Sequence, residues 1–344
     1  MPPRPPVPVR ILTGALGAGK TTLINALLRA GHLDSSAIIV NEFGAIGIDH
    51  DLIERASDDV NLLAGGCLCC RVREDLVEAL MRLEKAARQG SLRPFDRVVI
   101  ETSGLAEPTP LLQLFAQSPY LQGRFHLDAL VTVVDARLGA RALRVADSTA
   151  MRQAVLADRL LVTKQEHTHP EQRARLRQLL ASLNPYAPQA AVSAGQARME
   201  WLEPILHPEA SRAQAAAFRQ DAMAAAGGPA HDDDICCFDI RWTETLPLAA
   251  VGDWLYRLAS LYGERLLRVK GIIASAAPSK AYAVHVVQDV VSDPQLLESA
   301  ATASRVVFIT RGLEPNDVRP DWPFQADAAP ARRRAPQLPF LPAA

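Results

Sequence analysis

Apolar and polar positions alternate in a repeating pattern along residues 9 to about 192. Short apolar runs typical of buried strands, such as Val9–Thr13 and Ala37–Val40, are separated by longer stretches with helical spacing. Strands that alternate with helices are typical of a mostly parallel sheet covered by helices on both faces. We therefore expect an α/β domain over residues 9–206.

A second pattern follows an alanine-rich stretch. Residues 235–242 have the composition of a strand, and the next segment has apolar residues at the i, i+3 and i+4 positions of a helix. Three more strands are expected at 266–274, 282–291 and 304–310, which together predict a smaller α+β domain over 235–312. The helix residues that we expect to face its core are Val251, Trp254, Leu255, Leu258, Leu261 and Tyr262.

The remaining segments differ from both domains in composition. Residues 1–8 are a proline-rich leader without the apolar core of a signal peptide. Residues 207–234 contain many alanines and a Gly-Gly-Pro break, and we interpret them as a linker. Residues 313–344 combine prolines, alanines and arginines, which predicts a disordered tail.

The segment Gly14–Thr21 matches the phosphate-binding loop pattern G-x-x-x-x-G-K-[ST]. A predicted strand precedes it, and a predicted helix that ends at Gly31 follows it, as the motif requires. Lys20 would neutralise the phosphate oxygens, and the hydroxyl of Thr21 would bind Mg²⁺. The candidate nucleotide-binding residues of this loop are Gly14, Gly17, Ala18, Gly19, Lys20, Thr21 and Thr22.

A carboxylate ends another predicted strand, Arg97–Glu101, and Thr102-Ser103-Gly104 follows it. Because the carboxyl ends of parallel strands share one edge of a sheet, Glu101 is expected near the phosphate loop as a second Mg²⁺ ligand. Gly104 can bring its backbone N–H to the terminal phosphate. Lys20, Thr21 and Glu101 are therefore candidate catalytic residues.

A later strand runs into Thr163-Lys164-Gln165-Glu166, which resembles the guanine-reading motif N-K-x-D. A carboxylate at Glu166 can accept hydrogen bonds from guanine N1 and N2, a pairing that adenine cannot offer. Thr163 replaces the asparagine, which weakens the polar support, and an ordinary exit from a strand into a loop is the alternative. Ser193 follows the next strand and is a candidate for a second base-contacting loop.

Cysteines are few and clustered. Cys67, Cys69 and Cys70 lie within four residues, and three thiolates suit a soft or borderline ion such as Zn²⁺ or Cu(I). Zinc prefers four ligands, so water, Glu42 or a ligand from a client protein would complete the site. Redox use of the cysteines and simple buried thiols are the alternatives. The pair Cys236-Cys237 lies in a predicted strand, where neighbouring side chains point to opposite faces, and we interpret both as small apolar residues.

Together these motifs resemble the CobW family of metal-chaperone GTPases, which belong to the SIMIBI class of P-loop proteins. The resemblance covers roughly residues 8–312. It implies hydrolysis of GTP to deliver zinc, or cobalt and other transition metals, to a client metalloprotein, and related GTPases often form homodimers across the nucleotide. The matching segments are Gly14–Thr22, Asn41–Gly44, Gly47–Asp49, Gly65–Cys70, Glu101–Ala106 with Pro108, and Arg268–Ile272.

By this resemblance, residues 41–49 are the switch region that senses the terminal phosphate. Glu42 follows a predicted strand and is a candidate oxygen ligand for the transported metal; a surface carboxylate without metal is the alternative. Asp49 is a candidate catalytic residue that reaches Mg²⁺ or positions water.

Composition agrees with an enzyme that works inside the cell. The 344 residues are 49% hydrophobic, enough for two cores, and the net charge of −1 leaves no broad basic surface for nucleic acid. No apolar run is long enough for a membrane span. The expected location is the cytoplasm.

These features predict a GTPase with a mostly parallel P-loop sheet covered by helices, followed by the smaller α+β domain. Its cofactors would be GTP, Mg²⁺ and Zn²⁺, or Co²⁺ in place of zinc. A nucleotide-gated metal sensor and a P-loop ATPase or kinase with structural zinc are the alternatives. Glu166 argues against the ATPase, and a client-dependent rise in turnover would argue against the sensor.

Overall fold

The computed structural model places the elements of both predicted domains. Of residues 61–64 and 68–75 it describes the backbone alone. The described residues are 5–40, 61–64, 68–145, 148–193, 195–204, 235–275, 280–297 and 301–319.

The N-terminal part is built on a seven-stranded sheet whose paired strands are all parallel. The strands are β1 (Val7–Thr13), β2 (Ser36–Val40), β3 (Asn61–Ala64), β4 (Arg97–Glu101), β5 (Phe125–Asp135), β6 (Arg159–Thr163) and β7 (Gln189–Val192). Their order across the sheet is β3-β2-β4-β1-β5-β6-β7. The chain therefore fills one side of β1 before it crosses to the other, and such a reversal is where α/β proteins bind ligands.

Helices cover both faces of this sheet. They are α1 (Lys20–Arg29), α2 (Leu68–Arg88), α3 (Pro108–Gln117), α4 (Gly139–Leu143), α5 (Thr149–Leu156) and α6 (Pro170–Leu183). α2 and α3 pack on the face that carries Ile11 and Ile39, whereas α1 packs on the face that carries Leu12 and Ile38. Because consecutive strand residues point to opposite faces and both faces are buried, the strands are continuous apolar runs. The predicted parallel sheet with helices on both faces is confirmed.

The C-terminal part is an antiparallel sheet covered by one long helix, α7 (Leu248–Tyr262). Its strands are β8 (Ile235–Trp242), β9 (Arg268–Ala274), β10 (Ala281–Val287), β11 (Val290–Val291), β12 (Gln295–Leu297) and β13 (Ser304–Arg311). The order is β11-β10-β9-β13-β8, with β12 beside β10. Trp254 of α7 meets Phe308 of β13 edge to face, with ring centroids 5.7 Å apart. The predicted α+β domain is confirmed.

Two sequence predictions for this domain are wrong in detail. The strand expected at 282–291 is a hairpin, because the chain turns at Gln288, whose φ is 57°. Glutamine is uncommon in the left-handed region, so the sequence carries no turn signal there. Leu261, assigned to the buried stripe, is 61% exposed because it lies at the edge of the stripe in the last turn of α7.

The expectation of a disordered tail from residue 313 is also wrong for its first seven residues. Leu313 is buried, and a short helix, α8 (Pro315–Val318), packs against α7. The indole N–H of Trp254 donates to the carbonyl of Val318 at 3.3 Å, and the hydroxyl of Tyr262 donates to the carbonyl of Asp317 at 2.8 Å. Residues 320–344 lie outside the described part of the chain.

The two parts of the chain meet at the amino-terminal ends of the parallel strands. Asp158, just before β6, accepts hydrogen bonds from Arg268 at 2.9 Å and Lys270 at 2.8 Å, both on β9. Burial alone would raise the pKa of Asp158, but the charges of Arg268 and Lys270 hold it well below its ordinary value. The carboxylate therefore stays ionised and ties the C-terminal sheet to the parallel sheet.

His285 lies beside this group, opposite Lys270 in the β9–β10 ladder. Burial first, and then the positive charges of Lys270 and Arg268, lower the pKa of His285 to about 3. Below about pH 6.5 the unfolded chain gains a proton at this histidine that the folded chain does not, so its contribution to stability is complete above that pH and is lost as the pH falls.

We expect the free energy of unfolding to fall by roughly 1 kcal/mol between pH 6 and pH 5 through His285. His285→Phe should remove this part of the pH dependence, because the unfolded variant no longer binds a proton at position 285. Urea unfolding at pH 7, 6 and 5 measures it, and His167→Phe, at a side chain that is 62% exposed, is the matched control. A His285→Phe variant with the wild-type slope would contradict the prediction.

Candidate nucleotide and metal site

The carboxyl-terminal ends of the parallel strands gather the residues that the sequence singles out. Gly14 follows β1, Glu101 ends β4, Thr163 ends β6 and Ser193 follows β7. Adjacent parallel strands end at the same edge of a sheet, so these positions share one edge although they are far apart in the sequence. This is the edge opposite the contact with the C-terminal domain.

The phosphate loop leaves β1 in a conformation that requires glycine. Gly14 has a φ of 138°, and a Cβ there would lie 2.2 Å from the carbonyl oxygen of Val133 on β5. Gly19 caps the N-terminus of α1, whose free backbone N–H groups and positive end favour an anion. The ammonium group of Lys20 donates to the carbonyl oxygens of Gly14 at 2.8 Å and Ala15 at 3.2 Å. The loop is therefore a preformed phosphate cradle with a buried cation over it.

Thr21 and Glu101 contact each other beside the loop. The hydroxyl of Thr21 donates to Oε1 of Glu101 at 2.8 Å, and Glu101 is 5% exposed. A hydroxyl oxygen and a carboxylate oxygen are hard ligands of the kind that Mg²⁺ takes in nucleotide sites. The donor set of this pair therefore fits the predicted Mg²⁺ ligands.

The segment after β4 lies directly on the phosphate loop. A Cβ on Gly104 would come within 2.3 Å of the backbone nitrogen of Leu16, so any side chain would push the segment away. The N–H of Thr102 donates to the carbonyl of Leu12 at 2.9 Å, and its hydroxyl donates to that of Thr13 at 2.8 Å. These bonds fix the start of the segment to β1 and hold the backbone of Gly104 beside the loop, where its predicted role requires it.

Thr163 connects the predicted base-reading loop to the phosphate loop. Its buried hydroxyl donates to the carbonyl oxygen of Ala18 at 2.7 Å and lies 3.3 Å from that of Val134. A threonine is therefore sufficient to join the two loops. The loss of polar support expected from the missing asparagine does not extend to this contact.

Lys164 is a second contact between the base-reading loop and the phosphate loop. It has a φ of 56°, and its ammonium group contacts the carbonyl of Gly17 and lies 2.7 Å from Oδ2 of Asp135. Burial would raise the pKa of Asp135, but hydrogen bonds from Lys164 and Arg137 hold it below its ordinary value. The sequence analysis assigns no role to Asp135. Its position at the end of β5 is the sequence feature that points to the contact with Lys164.

The two remaining base-loop candidates are accessible to a ligand. The side chain of Glu166 is 45% exposed in a short 3₁₀ helix over Gln165–His167, with Oε1 3.5 Å from Nε2 of His167. Ser193 is exposed after β7, and its carbonyl accepts a hydrogen bond from the N–H of Gln196 at 3.1 Å.

Two of the four predicted ligands of the transported metal lie outside the described residues. This holds for Glu42 and Cys67, as well as for Asp49 of the switch region. Cys69 and Cys70 lie in the first turn of α2, so their backbone is helical and not a loop, and their side chains are not among those described. α2 begins shortly after β3 ends, at the edge that carries the phosphate loop.

Among the side chains that the structure describes, no group of three histidines, cysteines, aspartates or glutamates is placed to hold a metal ion. The zinc ligands therefore stay a prediction. None of the helices in the described part of the chain combines the length and the hydrophobicity that a bilayer crossing needs.

The glycine loop between β1 and α1, with its lysine, threonine and facing carboxylate, defines a P-loop nucleotide-binding protein. Residues 8–191 match the CobW/HypB/UreG nucleotide-binding domain, and residues 235–322 match the C-terminal domain of the cobalamin synthesis protein CobW. The chain belongs to the CobW/HypB/UreG family, which confirms the resemblance seen in its motifs.

Similar proteins carry names that refer to zinc. The zinc chaperone YjiA of Escherichia coli is 37% identical over 190 residues, 55% of this chain and 58% of that protein. The zinc-regulated GTPase metalloprotein activator 1 of Schizosaccharomyces pombe is 36% identical over 52% of this chain and 44% of that protein. The chain thus spans about half the length of the curated relatives it matches.

The fold is also similar to a solved structure. The zinc(II)-bound YjiA GTPase of E. coli superposes with a TM-score of 0.63 at 25% identity, over 92% of this chain and 98% of that chain. A zinc(II)-bound YjiA variant in which one glutamate and two cysteines are replaced by alanine superposes equally well.

Proposed function

We propose that this protein is a GTP-hydrolysing metallochaperone that carries a transition metal to a client metalloprotein, and that the metal is zinc. The observation that carries the proposal is the meeting of several features at one sheet edge: the phosphate loop, the Thr21–Glu101 pair, the base-reading loop and the start of α2 with Cys69 and Cys70. Coupling between hydrolysis and metal release requires two sites that share a movable element. The names of the YjiA and S. pombe relatives support the same class.

Hydrolysis on this site is a matter of positioning and charge stabilisation. Backbone N–H groups of the phosphate loop and of the N-terminus of α1 hold the phosphates, and Lys20 neutralises charge on the transferred group. Gly104 offers its N–H to the terminal phosphate. Thr21 and Glu101 would hold Mg²⁺, which supplies further charge neutralisation when bound. Asp49 remains our candidate for positioning water.

Metal cargo would be held by Cys67, Cys69 and Cys70 as thiolates. Three thiolates leave one position of a tetrahedral zinc site open, which a carrier needs if a client ligand is to enter. Glu42 or water would occupy it in the meantime. A glutamate and two cysteines are also the residue types replaced in the YjiA variant. Cobalt or another transition metal would use the same ligands.

A partner that reads the nucleotide state has an apolar surface available at this edge. Leu16 on the phosphate loop is 75% exposed and Leu105 after Gly104 is 64% exposed. Exposed leucines beside a nucleotide site support docking of the client or of a second copy in a homodimer. The gap between the two family matches, residues 192–234, supports the proposed linker over 207–234 between the nucleotide-binding and C-terminal domains.

We expect GTP to bind at least ~10-fold more tightly than ATP, a difference of about 1.4 kcal/mol. The exposed carboxylate of Glu166 can pair with the guanine edge, and Glu166→Ala should therefore erase most of the difference. Competition against a labelled nucleotide measures both affinities. Glu171→Ala, which removes an exposed carboxylate on the neighbouring helix α6, is the control and should retain the preference. Equal affinity of the wild type for GTP and ATP would exclude the guanine assignment.

A metallochaperone must also hold its metal differently in different nucleotide states, whereas a protein with structural zinc need not. Zinc titration of the nucleotide-free, GDP-bound and GTP-analogue-bound protein tests this requirement directly.

A further inference from the structure

A half-open cavity of about 600 Å³ lies between the parallel sheet and the C-terminal sheet, at the edge opposite the phosphate loop. One wall comes from the beginnings of β5, β6 and β7, including His126, Asp158 and Tyr186. The other wall is one face of the C-terminal sheet. The volume of the cavity is in the range of sites that hold small organic ligands.

The C-terminal sheet presents an unusual face to this cavity. Val269 and Ile273 of β9 point to the core under α7, so Arg268 and Lys270 point the other way, into the cavity. Arg241 and Arg305 line it as well. A sheet face that served only to pack against the parallel sheet would be apolar, whereas this one carries four cationic side chains.

Asp158 and Asp239 are each paired with two of these cations. Asp158 lies 2.9 Å from Arg268 and 2.8 Å from Lys270, and Asp239 contacts Arg241 and lies 3.2 Å from Arg305. Each cluster therefore has one surplus positive charge among the described residues. Asp128, a further carboxylate of the lining, is paired with Arg10 at 3.0 Å and leaves the balance unchanged.

The rest of the lining suits an organic ligand and not a hydrated inorganic ion. Apolar side chains, including Leu127, Ile272, Val307 and Ile309, separate and flank the charged clusters. The partly buried imidazole of His285, whose pKa is lowered to about 3 by desolvation and by the charges of Lys270 and Arg268, lines the same space as a neutral hydrogen-bonding group.

We infer that this cavity is a binding site for a small organic dianion, a dicarboxylate or a phosphate monoester, whose two charges are met by the Asp158 and Asp239 clusters. Such a ligand contacts both domains at once and so stabilises their relative placement. The site lies at the opposite edge of the sheet from the phosphate loop, and it does not depend on the proposed GTPase activity.

The test uses the full-length protein saturated with GDP and Mg²⁺, so that the phosphate loop is already filled. Glutarate and phenyl phosphate are titrated calorimetrically at constant ionic strength, with the neutral diamide of glutarate as the uncharged probe. We expect one equivalent of dianion to bind and the diamide not to bind. The tighter of the two dianions identifies the ligand class, carboxylate or phosphate.

Lys270→Gln and Arg305→Gln should each weaken dianion binding by at least about tenfold. Each variant removes a surplus charge but leaves one cation on Asp158 or Asp239, so both carboxylates stay paired and the fold is retained. Arg257→Gln, on the exposed side of α7, removes the same charge elsewhere and should change the affinity less than about twofold. Binding weaker than about 10 mM for both dianions, or equal affinity in all three variants, overturns the inference.

Discussion

Lys20→Ala is expected to lower the rate of GTP hydrolysis at least ~100-fold, the effect typical of removing one preorganised charge from a transition state. The ammonium group is buried and fixed over the phosphate loop by the carbonyls of Gly14 and Ala15. Alanine leaves no cation at that position. Thr21→Ala should have a similar effect, because it removes the hydroxyl that faces Glu101 at 2.8 Å.

Release of phosphate from saturating GTP under single-turnover conditions measures both rates. Thr21→Ser keeps the hydroxyl and should retain most of the activity, and Lys85→Ala, at an exposed position of α2, should leave the rate unchanged. Circular dichroism melting checks that the variants are folded. A rate within about threefold of wild type for Lys20→Ala or Thr21→Ala would show that the loop does not act as assigned.

Features set by local sequence were predictable. The phosphate loop combines a strand, three glycines, a lysine and a helix within a short segment, and each part has a fixed geometric consequence. The end of α1 is a further case: Gly31, with a φ of 71°, donates to Leu28, and the next N–H donates to Leu27, as in a Schellman motif.

Features set by distant contacts were not predictable. Nothing near β4 in the sequence states that it inserts between β2 and β1, because strand order depends on how the helices pack. The hydrogen bond from Thr163 to Ala18 joins β6 to the phosphate loop. The motif alone predicted that threonine in place of asparagine would weaken the polar support of the base-reading loop.

The sequence indicates the contact between the two domains only weakly. Arg268 and Lys270 alternate on β9 with apolar neighbours, and His285 lies opposite Lys270 on β10, which indicates a polar sheet face. What the sequence does not reveal is that Asp158, from the other domain, meets this face and pairs with both Arg268 and Lys270.

The second prediction with a large expected effect concerns the affinity for zinc in different nucleotide states. If the terminal phosphate draws Gly104 and residues 41–49 toward the loop, the environment of Cys67, Cys69 and Cys70 changes with it. Linkage then requires that GTP alter zinc affinity by the same factor by which zinc alters GTP affinity. Typical coupling energies of ~1–3 kcal/mol correspond to about 5- to 150-fold in either affinity.

Changing Cys67, Cys69 and Cys70 together to serine should abolish tight zinc binding, because serine hydroxyls are poor ligands for this ion. Changing Cys236 and Cys237 to serine is the matched control. Both lie on β8, where the side chains of neighbouring residues point to opposite faces, and their replacement should leave zinc affinity unchanged.

The measurement that tests the metallochaperone assignment most directly is a zinc competition titration with a chromophoric chelator in the nucleotide-free, GDP-bound and GTP-analogue-bound states. We predict one zinc per chain, dependent on the three clustered cysteines, with an affinity that differs at least ~5-fold between the GDP and GTP-analogue states. Cysteine-dependent zinc that is held with the same affinity in every nucleotide state would identify a structural site and contradict the assignment, even if the protein hydrolyses GTP.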